Sequence, residues 1–414
     1  MSDLLQHWAS QLERHADAPD FAVREAAMRE ALNSQLPHAR VESWKYTNLR
    51  AIARREAQVL DRAALPEAAD VLKSVPSPRV VFVDGHYDAS LSDTADLNDV
   101  DVTIRDNGEA FEHGGPANAI NQVNVALNQG GVRIRVHGNA DKPLHWVWLA
   151  TAQEPQGSQH NTHRVVLERD ASLTVVELIM STGEHQHIAT NRVELIVNES
   201  AALNHFRLQL DATTATWFAH TDVQLQADAV YRRVDAEIGG ALSRHELNIS
   251  LNGDRAHATS NGILFGDGKR QLDTRLTVRH RGLHTGCALV WRGLGTERSK
   301  ISFHGGIHIH AGADFTEASL SNKNLLLSDN AEINSQPVLE IDADEVQAAH
   351  GTTVGQLDER ALFYLRSRGI EQHTARTMLI GAFVHELLGP IEPAELREHF
   401  ASSLDTALAG VEFE

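Results

Sequence analysis

From about residue 165 to residue 292 the chain alternates short apolar segments with turn residues at a nearly constant interval. Val165 to Leu167 and Leu173 to Leu178 flank a turn at Asp170-Ala171-Ser172. Val193 to Val197 and Leu203 to Leu210 flank Glu199-Ser200-Ala201, and Val223 to Gln226 and Val230 to Ile238 flank Asp228-Ala229. Leu247 to Leu251 and Ala256 to Leu264 flank Asn252-Gly253-Asp254, and Leu276 to Val278 and Cys287 to Arg292 flank Arg281-Gly282. The turns at 170, 199, 228, 253 and 282 recur every 25 to 29 residues, the interval of solenoid coils. One such unit cannot bury its own apolar face, so successive units must stack into a continuous core. No helix of βαβ length interrupts the run, which argues against doubly wound and barrel folds. The pattern predicts a mainly β chain built on a parallel β-helix, with a large β-sandwich as the alternative.

Helical patterns flank this region. Leu4, Leu5, Trp8 and Leu12, and then Phe21, Val23, Ala27, Met28, Ala31 and Leu32, fall at helical spacing. Asp20 is placed to cap the second helix, Pro37 to end it, and Arg54 to Ala57 to close a further one. Leu60 to Ser77, rich in Ala, Pro and charge, reads as a connector, and Arg79 to Val83 as the first strand. Pro337 to Ile341 reads as the final strand. Beyond it, helices are expected up to Gly369, from Glu371 to Leu388, and from Pro393 to about Leu408. The expected division is a helical domain with its connector over 1–78, a β-helix core over 79–350 and a helical domain over 351–414. The helical modules are expected at the two ends of the solenoid.

Composition narrows the function. Asp and Glu outnumber Lys and Arg 56 to 37, a formal charge of −19, which argues against broad binding to nucleic acid or anionic membrane. The single cysteine, Cys287, allows no intrachain disulfide and no all-cysteine metal cage. Nor can it hold an iron–sulfur cluster by itself, since such clusters take about four thiolates. The opening residues lack the basic-then-apolar order of a signal peptide, and no apolar run approaches the roughly 20 residues of a membrane helix. A soluble, cytoplasmic protein is expected.

Chemical motifs are sparse. His185 and His187, and likewise His308 and His310, are two residues apart, so on a strand each pair shares a face and forms a candidate metal pair. In a chain with 24 histidines, strand alternation also produces such pairs without any ligand. His385-Glu386-Leu387-Leu388-Gly389 begins like a zinc-protease motif but has Gly where the second His must stand. Gly266 to Gln271 lacks both the dinucleotide fingerprint and the phosphate-loop tail, and reads as a hairpin turn. Any use of ATP must therefore come from another protein. Cys287, among Ala288, Leu289 and Val290, reads as packing. No catalytic residues stand out, and scattered carboxylates support a carbohydrate-cleaving alternative only weakly. His350, next to Gly351 where solenoid meets helices, is placed to present an imidazole at a surface, and neutral imidazole is a suitable ligand for iron.

Three blocks carry a family resemblance. They are Glu42-Ser43-Trp44-Lys45-Tyr46-Thr47-Asn48-Leu49; Asn324 to Ser328 with Pro337 to Ile341; and His350-Gly351-Thr352-Thr353-Val354-Gly355 leading into Phe363 to Ile370. Together, and in this order, they resemble the SufB/SufD family of the SUF iron–sulfur cluster assembly system, and cysteine poverty favours its SufD side over a SufB-type scaffold paralogue. The resemblance implies a right-handed parallel β-helix between helical domains. It implies a non-catalytic scaffold subunit that pairs with a SufB-like paralogue, and a SufC-like ABC-type ATPase, two copies per complex, docked on the C-terminal helical domain. His350 matches the family histidine at the paralogue interface, where a nascent Fe–S cluster or iron would be held, with no nucleotide bound by this chain. Ala348 stands where some relatives have cysteine, so the thiolate there must come from the partner. In isolation the chain could form a homodimer. An independent carbohydrate-active β-helix enzyme and a homo-oligomeric structural protein are the rival readings.

Overall fold

The corners marked by the turn signals are set by backbone conformation. In the computed structural model, which describes residues 2–62, 68–106, 118–152, 154 and 156–410, Asp170, Ser200, Asp228, Arg255, His284, Phe315 and Glu345 have φ between 52° and 61°. Each left-handed residue stands at the equivalent corner of its coil and turns the chain from one sheet into the other.

Ahead of the coils come α1 (Asp3–Ser10), α2 (Phe21–Ser34), the short α3 (Ala68–Val71), β1 (Arg79–Val83), β2 (His86–Tyr87), β3 (Val100–Asp106) and α4 (Ala119–Leu127). Among the described residues eight coils follow, each of two strands. The first four are β4 (Gly130–Val136) with β5 (Leu144–Ala150), β6 (Ser158–Leu167) with β7 (Ser172–Ser181), β8 (Ile188–Val197) with β9 (Ala202–Gln209), and β10 (Thr216–Leu225) with β11 (Val230–Glu237). The last four are β12 (Leu242–Leu251) with β13 (His257–Gly266), β14 (Gln271–His280) with β15 (Gly286–Gly295), β16 (Lys300–Ile309) with β17 (Glu317–Leu326), and β18 (Glu332–Ile341) with β19 (Gln347–Gly355). Helices α5 (Glu359–Ser367), α6 (Gln372–His385) and α7 (Ala394–Ala409) close the chain.

The even-numbered strands of the coils stack in parallel into one sheet, with β3 antiparallel at its end; the odd-numbered ones form the other, beginning at the antiparallel β1–β2 pair. This is a parallel β-helix, as the recurrence predicts. Alternate residues point into the lumen, where Phe82, Trp146, Trp148, Trp217, Tyr231, Leu247, Trp291 and Phe303 are buried in one continuous core. The segment at Gly266–Gln271 is not a hairpin: it is the corner between β13 and β14, which lie in different sheets.

The helical modules do not sit at the ends of the solenoid. The N-terminal one, with Trp8, Met28, Trp44 and Ile52, packs with α4 against Ile188, Phe218 and Leu242 on the outer face of the even-numbered sheet. The C-terminal one lays Ile380, Val384, Leu387, Phe400 and Leu404 over Val176, Phe206, Val234, Ile263 and Phe265 on the outer face of the other sheet. Apolar residues at outward positions of both sheets explain this, because each such face must be covered. Arg54–Ala57 form no helix. Part of the Leu60–Ser77 connector, residues 63–67, lies outside the described residues. The final strand is β19, not Pro337–Ile341, and the boundary expected at 350/351 falls inside it.

Candidate functional site

The chain leaves the solenoid after β19 and turns back along its flank, so nothing among the described residues stacks on the last coil. β18 and β19 each pair on one side only, leaving rows of backbone donors and acceptors unpaired. In β19 the inward register holds Ala348, His350, Thr352 and Val354, aligned with Ala318, Leu320, Asn322 and Asn324 of the coil below. Leu320 is 3% exposed because a coil covers it, whereas His350, one coil on at the same inward position, is exposed. His350 therefore occupies a core position that lacks its covering coil.

Hydrogen bonds hold the floor of this open end. Thr352 Oγ1 donates to Ser335 Oγ (2.7 Å), Ser335 Oγ to Asn322 Oδ1 (2.7 Å), and Asn322 Nδ2 to the Trp291 carbonyl (3.2 Å). Asn324 Nδ2 reaches the Thr353 carbonyl at 3.1 Å. Around the polar floor, Ile333, Leu339, Val346 and Ala348 are half-buried, and Ile341 and Val354 are 43% and 46% exposed. Chemically the end offers an imidazole, hydroxyls and an apolar rim. One imidazole binds a transition metal weakly; a partner supplying further ligands would complete a site.

Most of the other histidine candidates are held by partners within the chain. His185 and His187 are not on a strand: they are buried in the corner before β8, ring centroids 4.1 Å apart. His185 Nε2 lies 2.9 Å from Asp211 Oδ1 and His187 Nε2 2.6 Å from the Glu154 carbonyl. Burial, followed by the charge of His185, lowers the His187 pKa. His308 lies on β16 with Nδ1 2.7 Å from Glu340 Oε2, while His310 follows the strand in the next corner, so the two share no partner. His385 joins α6 to α7 through Asp405, 2.9 Å away. Cys287 points into the lumen, 3.3 Å from His280 Nε2, and burial pushes its thiol up to about 12.

A buried charge network inside the solenoid escapes the sequence pattern. Glu177, His205, Arg207, Arg233, Asp235, Glu237 and His245 all occupy inward positions and are buried. Arg233 grips Asp235 through two bonds, 2.6 and 2.7 Å, and Arg207 pairs with Glu237. Burial alone would raise the Glu177 carboxyl, but the hydrogen bond from His205 and the charge of Arg207 outweigh it, and the pKa falls to about 2. Burial, then Arg233 and Arg207, hold His245 well below its ordinary value. Asp235, Glu237 and His245 lie close enough to resemble a metal set, yet both carboxylates are already held by guanidinium groups, so the cluster is an ion-pair lattice. Its sequence trace is Tyr231-x-Arg233-x-Asp235-x-Glu237, a strand alternation whose inward set is charged.

Fold and site together define a solenoid protein whose polar centre lies at an unfinished end. A family model described as "SUF system FeS cluster assembly, SufBD core domain" matches residues 149–383, more than half of the chain. The iron–sulfur cluster assembly protein SufD of Escherichia coli (strain K12) is 29% identical over 99% of this chain and 98% of its own length. A SufBD family protein of Synechocystis is 29% identical over 88% of this chain and 85% of its own, and one of Mycobacterium leprae 27% identical over 72% and 86%. The chain belongs to the SufBD family of the SUF iron–sulfur cluster assembly system and is of SufD type.

The three sequence blocks now have physical roles. Arg244 stacks over Trp44, 3.8 Å from the ring centroid, and donates to the Ser43 carbonyl at 2.9 Å. Thr47 bonds Asp273, and Gln271 bonds the Tyr46 carbonyl, so the first block staples the N-terminal module to the even-numbered sheet. The second block and His350–Gly355 build the open end, while Phe363–Ile370 lies on and just beyond α5.

Proposed function

We propose that this chain is a non-catalytic scaffold subunit that pairs its open solenoid end with a SufB-like paralogue, holding a nascent Fe–S cluster or iron between them. His350 contributes an imidazole ligand, and the partner contributes the thiolate that Ala348 cannot. The observation that carries this reading is an exposed histidine at an inward position of a terminal coil with two unpaired strand edges. Edge strands of ten and nine residues, uncovered by any described residue, invite pairing with another sheet. In isolation the same edges suit pairing with a second copy.

The C-terminal helices dock a SufC-like ATPase, two copies serving the complex and none of the nucleotide binding to this chain. Phe363 and Tyr364 of α5 and Met378 of α6 are 74%, 56% and 49% exposed, an apolar surface on the side of the helices away from the sheet. ATP-driven movement of the docked subunits would shift the paired ends and open or close the cluster site. The cytoplasm suits this chemistry, and no helix among the described residues is long and apolar enough to cross a membrane.

The test is His350→Ala in the anaerobically purified complex, with iron and acid-labile sulfide counted per complex. Complex formation and thermal midpoint should stay as in the parent while cluster loading falls by about tenfold or more. Parental loading would contradict the assignment of His350.

A further inference from the structure

On the opposite side of the solenoid from α5–α7, the N-terminal module and the outer face of the even-numbered sheet border a groove of about 750 Å³. The wall formed by the sheet is polar, with Asn248, Asn252 and Thr277 beside Arg275, Arg279 and Arg281. The carboxylates in and behind this wall are already matched. Asp222 is paired by Arg192 (3.0 Å) and His220 (2.9 Å), Glu246 by Arg244 (2.6 Å) and His220 (3.4 Å), and Asp273 by Arg244. Burial would lower the His220 pKa, but hydrogen bonds to Asp222 and Glu246 outweigh it and raise it to about 9, so His220 carries charge at neutral pH. Three carboxylates thus face three cations and cancel.

Arg275, Arg279 and Arg281 are left over. Among the described residues, Arg279 and Arg281 hydrogen-bond only the neutral amides of Asn248 (3.5 Å) and Asn252 (3.0 Å), although Asp222 acts on Arg279 at longer range. Arg275 makes no ion pair with the described residues, although Asp273, Glu246 and Glu42 act on it at longer range. Arg275 and Arg279 are half-buried, and burial lowers both their pKa values. Burying a guanidinium without a counter-charge is unfavourable, and its planar fork suits phosphate and carboxylate oxygens. The amino-terminal end of α4, at Asn118 and Ala119, opens onto the same groove and adds positive potential. In a chain with a formal charge of −19, three arginines on one wall with no ion pair among the described residues stand out.

We propose that the groove binds a small organic polyanion, carrying two or more phosphate or carboxylate groups, on Arg275, Arg279 and Arg281. Thr277 and the two asparagines hydrogen-bond its remaining oxygens. The volume is that of an ordinary small-molecule site. This inference stands on the groove alone and does not use His350.

The experiment is calorimetric titration of the full chain with sodium tripolyphosphate and, separately, with citrate, at low and moderate salt. At least one should bind with a salt-sensitive Kd in the micromolar range; tripolyphosphate alone would mark a phosphate ligand, citrate alone a polycarboxylate. The double variant Arg275→Gln, Arg279→Gln should weaken that binding by about tenfold or more, and His350→Ala should leave it unchanged. Should the double variant lose its fold, the exposed Arg281→Gln still reports, with an expected weakening of about threefold or more. Failure of both probes to bind below about 1 mM, or parental binding by the folded variants, would overturn the proposal.

Discussion

The two ends of the solenoid are built to opposite plans. At the amino-terminal end, β2 and β3 turn antiparallel and Tyr87, Leu97, Val100 and Val102 pack against the luminal core, so Val80, Phe82, Val132, Ile134 and Val136 are all buried. At the other end the same inward register presents Ile341, His350, Thr352 and Val354 to solvent. A repeat protein needs a cap wherever its core would face water. Among the described residues the other end has no such cap, which fits the pairing surface proposed above, and the return of α5–α7 along the flank leaves it clear.

Substitutions at the two ends should separate stability from assembly. Trp148→Ala at the closed end removes a ring stacked on Phe82 at 5.0 Å and should cost about 3–5 kcal/mol, measured by denaturant unfolding. Rim residues at the open end should cost far less in the isolated chain. If both ends cost alike, the contrast fails.

Acid should attack the closed side next. His160 and His163 of β6 are fully buried, and burial lowers both pKa values to about 3. A histidine depressed in the folded state is stable as the neutral form above its unfolded value near 6.5, and loses that stability as pH falls toward 3. Between pH 7 and pH 5 each should cost about 2 kcal/mol, seen as a falling unfolding midpoint. His163→Gln should flatten the slope.

The turns at 170, 199 and 228 were readable because Asp and Ser occupy left-handed corners there. Phe315 and Glu345 hold the same conformation but carry no turn signature, so the last coils faded from view. β19 went unread for a related reason: Gln347-Ala348-Ala349-His350-Gly351-Thr352-Thr353 lacks apolar alternation, since a terminal coil has no core to complete. His350 itself was found through its neighbours in the motif, while its inward register needed the coordinates. The luminal charges were hidden because alternation predicts apolar residues inside, and the groove because it joins residues some 240 positions apart, such as Ser34 and Arg275.

The smallest stability effects belong to the open rim. Val354→Asp should change the stability of the isolated chain by less than about 0.5 kcal/mol, because its side chain is already half in water. The same change should abolish pairing with the paralogue in a pull-down, since it sets a charge in the edge-to-edge contact. Normal pairing by the folded variant would move the interface elsewhere.

Hydrogen–deuterium exchange on the chain alone and in its purified complex tests the central claim most directly. Amides of Glu332–Ile341 and Gln347–Gly355 on the outer edges should exchange fast in the dilute monomer and become strongly protected in the complex, while β3 at the closed end stays unchanged. Equal exchange of β18 and β19 in both states, with protection arising at another surface, would contradict the account.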